Sequence, residues 1–455
     1  MRKRPACHWT FVATLLAGSW LHNRPEPSIC GKVAARARRC SHTFPPRTAS
    51  VSGCRSRTNR VRGGFRKRGG RLPDRTPDDE ARRLTAYISR ARSTSELLTR
   101  SDGALENAAL FNHVHMSAAL TRLSKFKRAR QFYRSDASSP VWAKLCDRLD
   151  SMLREDSLPP RQVANVFYSV HELYEEMDRH QTRLLPKLCD AVRAKAAGMK
   201  AQELSNCLLA AAKLQDTSRA VLVVVPALAN CIPDKVADMI PQHLSNCLWA
   251  AATLHDASPE VLEAVPALVK SIPDKVEEMI PQHLSNCLWG AATLQEALPE
   301  VVTAVPALAQ HTPEQAQDMK PQELSNSLWA AAKLQDATPE VLLAVPALAD
   351  IIPDKAQHMK PQELSNTLLA VAKLQYASPK MLVAMTALVE HIPGHAQRMN
   401  AQELSNCLWA AARLHDASPD VLFAMPALAQ HLLDETQDMM RHRLCRLLPA
   451  PSQSS

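Results

Sequence analysis

The chain has 455 residues, 12 cysteines and a formal charge of +10. It contains no Cys-x-x-Cys pair, no glycine-rich phosphate loop and no nucleophile elbow, which excludes the common zinc, nucleotide-hydrolysis and serine-hydrolase signatures. The charge is uneven: residues 1–72 hold 17 Lys or Arg against the single acid Glu26, whereas residues 201–440 hold 13 against 27 Asp or Glu, so the total does not describe one basic body.

Residues 1–72 open with Met1-Arg2-Lys3-Arg4, pass through an apolar run from Trp9 to Leu21, and continue rich in arginine and serine. That 13-residue run is shorter than the about 20 residues a spanning helix needs, and it has the form of a signal-peptide core. A signal core followed by a basic leader resembles the two-part plastid address of algae with complex plastids. The arginine-rich part alone resembles a mitochondrial presequence. Residues 1–72 are therefore expected to be a disordered targeting region, with a plastid ahead of a mitochondrion, and no membrane is expected as a partner of the mature form. The other reading is a basic arm that binds RNA directly.

Residues 73–110 are expected to form a linker. Residues 111–200 hold degenerate helical repeats: one worn copy at residues 115–126, and a clearer one at 160–173 that sets Asn165 41 residues before Asn206. From 201 to 440 the copies are regular. Asn206, Asn246, Asn286, Asn326, Asn366 and Asn406 follow one another at a constant step of 40 residues, giving six units. Such self-similarity marks an array of one structural element.

In the unit that starts at Pro241, Leu244, Cys247, Leu248, Ala251 and Leu254 recur at helical spacing, predicting a first helix of about four turns. Pro241, Pro281, Pro321 and Pro361 suit the first helical position; Ala201 and Ala401 stand there in the outer units. Ser258-Pro259-Glu260 then predicts a second helix, with the serine oxygen as cap and the glutamate facing the positive end. Pro226, Pro266, Pro306, Pro346 and Pro426 are expected inside that helix, bending it, with Thr386 at the same place. A third proline, such as Pro273, ends the second helix or starts a short third one.

One such pair cannot bury its apolar face, whereas stacked neighbours share a core. The predicted fold is all-α, an α-solenoid of 40-residue helical-hairpin repeats. Cys207, Cys247, Cys287 and Cys407 share one helical phase with Ser327 and Thr367, which points to core packing and to no metal. Residues 441–455, where Arg441-His442-Arg443-Leu444 replaces the expected helix start, are expected to be a basic cap or tail.

Away from the leucine face, spacings of four, three and four align a second set of residues along the first helix. The set runs Gln202, Asn206, Leu209, Lys213; then Gln242, Asn246, Trp249, Thr253; then Gln282, Asn286, Trp289, Thr293. It continues through Gln322, Asn326, Trp329, Lys333, then Gln362, Asn366, Leu369, Lys373, and ends with Gln402, Asn406, Trp409, Arg413. Amides bond base edges, indoles stack on unpaired bases and cations meet phosphate, which is how single-stranded RNA is held. The competing reading is structural: asparagines tying neighbouring backbones, tryptophans filling the space between helices, and cations at solvated helix ends. Glu203, His243, His283, Glu323, Glu363 and Glu403 are the helix-start residues whose variation is useful to a reader of bases.

Leu-Ser-Asn-x-Leu-Trp-Ala-Ala-Ala-x-Leu resembles the repeat of the octotricopeptide-repeat proteins of algal organelles, and also the leucine-rich helical region of FAST-kinase and RAP-domain proteins. The likeness covers about residues 160–440. The 40-residue step is longer than that family's, its proline-rich loop is not evident and no RAP domain follows. The resemblance implies an organelle factor that binds RNA and acts on transcript stability, processing or translation. The chain is thus expected to be no enzyme, to use no cofactor and to take single-stranded RNA as partner. The alternative is a protein-binding scaffold of armadillo or HEAT type with an acidic surface.

Overall fold

The computed structural model of the protein describes residues 77–106 and 111–434. The expected targeting region 1–72 and the expected basic cap or tail 441–455 lie outside them. Every described element is a helix, with no strand among the described residues. They form two compact units divided between residues 188 and 189.

The N-terminal unit holds α1 (Pro77–Ser89), α2 (Thr94–Leu105), α3 (His113–Arg128), the single turn α4 (Arg134–Ala137), α5 (Pro140–Arg154) and α6 (Pro160–Leu173). Helix α1 packs on α3, α2 on α5 and α3 on α6. Phe111, Phe132, Trp142 and Phe167 fill its core. The expected linker at 73–110 is corrected here, because residues 77–106 are α1, α2 and their short joint. Ser93 caps α2, accepting the Glu96 N–H at 3.1 Å, and Ile88, Ala91, Leu97 and Leu98 are buried.

Helix α7 (Leu184–Lys195) spans the division. The array follows as six units whose first helices are α8 (Ala201–Leu214), α10 (Pro241–Leu254), α12 (Pro281–Leu294), α14 (Pro321–Leu334), α17 (Pro361–Leu374) and α19 (Ala401–Leu414). Each has 14 residues, about four turns, and each packs on the next. Leu244, Leu248, Ala251 and Leu254 are fully enclosed, as are their counterparts one unit on, apart from about 1% at Leu288 and Ala291. Each buried leucine contributes about 2 kcal/mol. The array is an α-solenoid, with each unit packed on its sequence neighbours.

The second layer differs from the expected bent helix. Around Pro266 it is a 3-10 segment (Pro259–Ala264) followed by α11 (Val265–Ser271), with the proline in the first turn of α11 instead of its interior. The same split precedes α9 (Val225–Cys231), α13 (Val305–Gln315) and α15 (Val345–Asp350). An α-helix would send the N–H of residue 266 to the Leu262 carbonyl; proline has none, and Leu262 accepts instead from Val265, three residues on. In the unit with Thr386 the N–H exists, and α18 (Lys380–His391) runs unbroken for 12 residues. After α15 comes the short α16 (Ile352–Ala356). The third prolines Pro233 and Pro273 open short 3-10 turns, while Pro313 lies inside α13.

The expected serine cap also takes another form. Ser258 Oγ accepts no helix N–H but donates to Glu260 Oε2 at 2.7 Å, and Thr338 Oγ1 is enclosed without a partner.

Candidate nucleic-acid interface

The six first helices lie side by side, so residues at the same register form rows across the array. The row of asparagines Asn206, Asn246, Asn286, Asn326, Asn366 and Asn406 borders the solvent-facing side; all are half-buried except Asn246, which is 6% exposed. None of the six side chains makes a hydrogen bond within the protein among the described residues. The glutamines Gln202, Gln242, Gln282, Gln322 and Gln402 are likewise without a side-chain partner there; Gln362 is exposed in the same row.

Backbone ties between units run through other residues. Ser205 Oγ donates to the His243 carbonyl at 3.3 Å and Ser325 Oγ to that of Glu363 at 3.1 Å. Gln215 Nε2 donates to the Thr253 carbonyl at 2.8 Å and Gln295 Nε2 to that of Lys333 at 3.2 Å. In these pairs of units the tying role that the sequence offered to the asparagines belongs to Ser205 and Ser325, just before them, and to Gln215 and Gln295, just after α8 and α12. A buried amide needs a partner. The amides of these two rows, with Asn246 the most enclosed of them, form a different surface, two per unit at the 40-residue step.

The tryptophans form a ladder. The Trp249 and Trp289 ring centroids stand 6.1 Å apart and those of Trp289 and Trp329 6.4 Å, each pair tilted by 30°. These indoles spend their faces on one another, within the 4.5–7 Å range typical of aromatic pairs. Leu369 interrupts the row, and Trp409 beyond it is 45% exposed.

The cations are clustered toward one end. Lys333 Nζ lies 5.8 Å from the Trp329 ring centroid and the Arg413 guanidinium 5.6 Å from that of Trp409; Arg413 Nε also donates to the Ala372 carbonyl at 3.3 Å. Burial, then the charges of Lys333 and Arg413, hold the Lys373 ammonium below the usual lysine range, with Asp336 opposing. Three successive units thus present mutually repelling positive charges. In α10 and α12 the register holds Thr253 and Thr293, which bond back to the Trp249 and Trp289 carbonyls. Lys213 is half-buried at the corresponding place in α8.

The helix-start residues have local work. Glu203, Glu323, Glu363 and Glu403 each accept the N–H of the residue three earlier at 2.9 Å, completing the first turn. Burial raises the carboxyls of Glu323 and Glu403. His243 and His283 have enclosed Nδ1 atoms without a partner, and burial pushes the His283 imidazole down to about 4. The four glutamates thus cap their own helices, and the two histidines are half-buried at the same place.

Cys207, Cys247, Cys287 and Cys407 are buried in the core, and desolvation raises the last three thiols to about 12. Ser327 and Thr367 occupy the same enclosed position. No described helix is long and apolar enough to cross a membrane. No protein-family model matches the chain, and comparison with curated proteins gives no match.

Proposed function

We propose that this protein is an RNA-binding helical-repeat factor whose first-helix face holds single-stranded RNA. The observation that carries the reading is the row of asparagine amides, bordering solvent and without protein partners, repeated in six units. Such a row meets base edges or the sugar-phosphate chain as it passes. The Lys333, Lys373 and Arg413 cluster supplies charge at one end, and Trp409 is the indole with most surface to offer a base. The first three indoles of the ladder pair with one another, so the amides carry binding in that stretch, joined by Lys333 at its end.

The site of action is an organelle, a plastid ahead of a mitochondrion, and the role is in transcript stability, processing or translation. The support is the sequence of residues 1–72 and the repeat resemblance. Mass spectrometry of the protein from its cells tests the first point: a terminus still at Met1 would overturn the targeting reading.

The interface is tested by RNA binding to the whole chain and to a variant with Lys213, Lys333, Lys373 and Arg413 changed to Glu, which leaves the basic leader the same in both. The expected result is at least a 10-fold loss of affinity and a log–log salt slope shallower by about 3, close to 0.7 for each of the four single-strand phosphates that are no longer neutralised. A folded variant with unchanged affinity would sink the proposal.

A second reading, a protein-binding scaffold, is favoured by the array's acid excess and by Leu343, Val383 and Phe423, which are 61%, 76% and 68% exposed at one register of the second layer. Partners that persist through ribonuclease treatment of an extract would favour it; partners that disappear with the RNA favour the first reading.

A further inference from the structure

A cavity of about 460 Å³ opens in the N-terminal unit, between α3 and α6. Its origin is visible in the repeat register. Counting from each helix start, Ala118 and Thr121 of α3 stand where α10 carries Asn246 and Trp249. Small side chains there leave a hollow where the array has filled its surface.

The hollow is lined by Arg122, Lys125 and Arg161, with Gln162 and Asn165 beside them and no carboxylate in its walls. Arg122 is fixed in place. Its Nε and one terminal nitrogen donate to the Ala91 carbonyl at 3.0 and 2.6 Å, and its guanidinium lies 4.7 Å from the Phe126 ring centroid. Lys125 and Arg161 are exposed at the rim and form no ion pair among the described residues. Three cations line one hollow that has no carboxylate in its walls, an arrangement that an anion would favour.

We infer that this cavity binds a phosphate monoester carried on a nucleoside. The free Arg161 fork and the Lys125 ammonium, with the terminal nitrogen of Arg122 that Ala91 leaves unused, match a dianion, since an arginine fork bonds phosphate oxygens in pairs. The pinning of Arg122 lowers the ordering cost of binding. The volume falls within the about 300–1,000 Å³ of small-molecule sites, leaving space for an organic body beside the phosphate, against Val114 and Ala118. The site is separate from the RNA face proposed for the array and stands or falls without it.

The test is calorimetric titration of the full chain, at about 50 mM salt, with adenosine monophosphate, adenosine and inorganic phosphate. The monophosphate is expected to saturate one site and adenosine to give no heat. Two variants localise the site: Lys125→Ala with Arg161→Ala removes the rim charges, and Thr121→Trp restores the indole of the regular units and fills the hollow. Each is expected to weaken the monophosphate at least 10-fold while circular dichroism stays unchanged. Should inorganic phosphate bind as tightly and with the same sensitivity to both variants, the shared phosphate chemistry holds and free phosphate is its source. No saturable binding of either phosphate overturns the inference. So does binding that both folded variants retain, or that Thr121→Trp leaves untouched, since it would then reside on the basic leader or the open surface.

Discussion

Gly290 of α12 approaches Leu248 of α10 so closely that a Cβ added to it would stand 2.9 Å from Leu248 Cγ and 3.3 Å from the Leu248 carbonyl oxygen. The other units carry alanine at this register, as Ala250, Ala330, Ala370 and Ala410.

The first prediction follows from that close approach. Glycine to alanine inside a helix ordinarily gains about 1 kcal/mol, but forcing a methyl group into a closed space costs about 1–3 kcal/mol. Gly290→Ala is expected to lower stability by about 1 kcal/mol, read as a fall in the urea midpoint. A rise in the midpoint would show that α10 and α12 separate easily.

A second prediction concerns Thr386. Five described units carry proline there and accommodate it by tightening the preceding residues into 3-10 form. Thr386→Pro is expected to cost less than about 1 kcal/mol, whereas proline at Leu388, inside α18, costs about 3 kcal/mol or more. Thermal melts of the two variants should differ by several degrees in that order.

His283 gives a third. Burial holds its imidazole at about 4 in the folded chain, below the ordinary value of about 6.5. The unfolded chain therefore takes up the proton first, and the histidine's contribution to stability is present above about pH 6.5 and lost as pH falls toward 4. His283→Gln is expected to flatten the stability profile between those pH values, measured by denaturant titration at each pH, with little change above pH 7.

Lys373 supplies a fourth, with opposite consequences for folding and binding. Its ammonium is disfavoured by burial and by Lys333 and Arg413, so the charge opposes folding at neutral pH, and stability rises as pH climbs through the lowered folded pKa toward the ordinary lysine value. Lys373→Gln is expected to raise the melting temperature at pH 7 while weakening RNA binding. A variant that melts lower would show that the alkyl stem matters more than the charge.

The fold was legible where one period dominates. The leucine spacing and the helix-start prolines Pro241 and Pro281 pointed to first helices of about four turns, which α10 and α12 match in start and length. The second layer was misread because proline at position 266 was weighed as a break inside an α-helix, while backbone accounting at Leu262 favours two helix types in succession. The alignment of the amides into rows was also legible from spacing. Which polar residue turns inward was not, because Ser205 and Asn206 are adjacent and both bond carbonyls readily; only packing against His243 separates them. The hollow beside Arg161 was hidden by the decay of the repeat, although Asn165 marked its edge.

The Ser205 bond to His243 and the Ser325 bond to Glu363 connect the same two register positions in different pairs of units. A gene cut within one unit and rejoined at the equivalent codon of another would thus bring together surfaces that already fit. The array can gain or lose length only in whole quanta without a faulty seam, and each quantum adds two amides to the outward face. Reach along a partner is set by unit number, which makes tract length heritable through unequal recombination and independent of any single side chain.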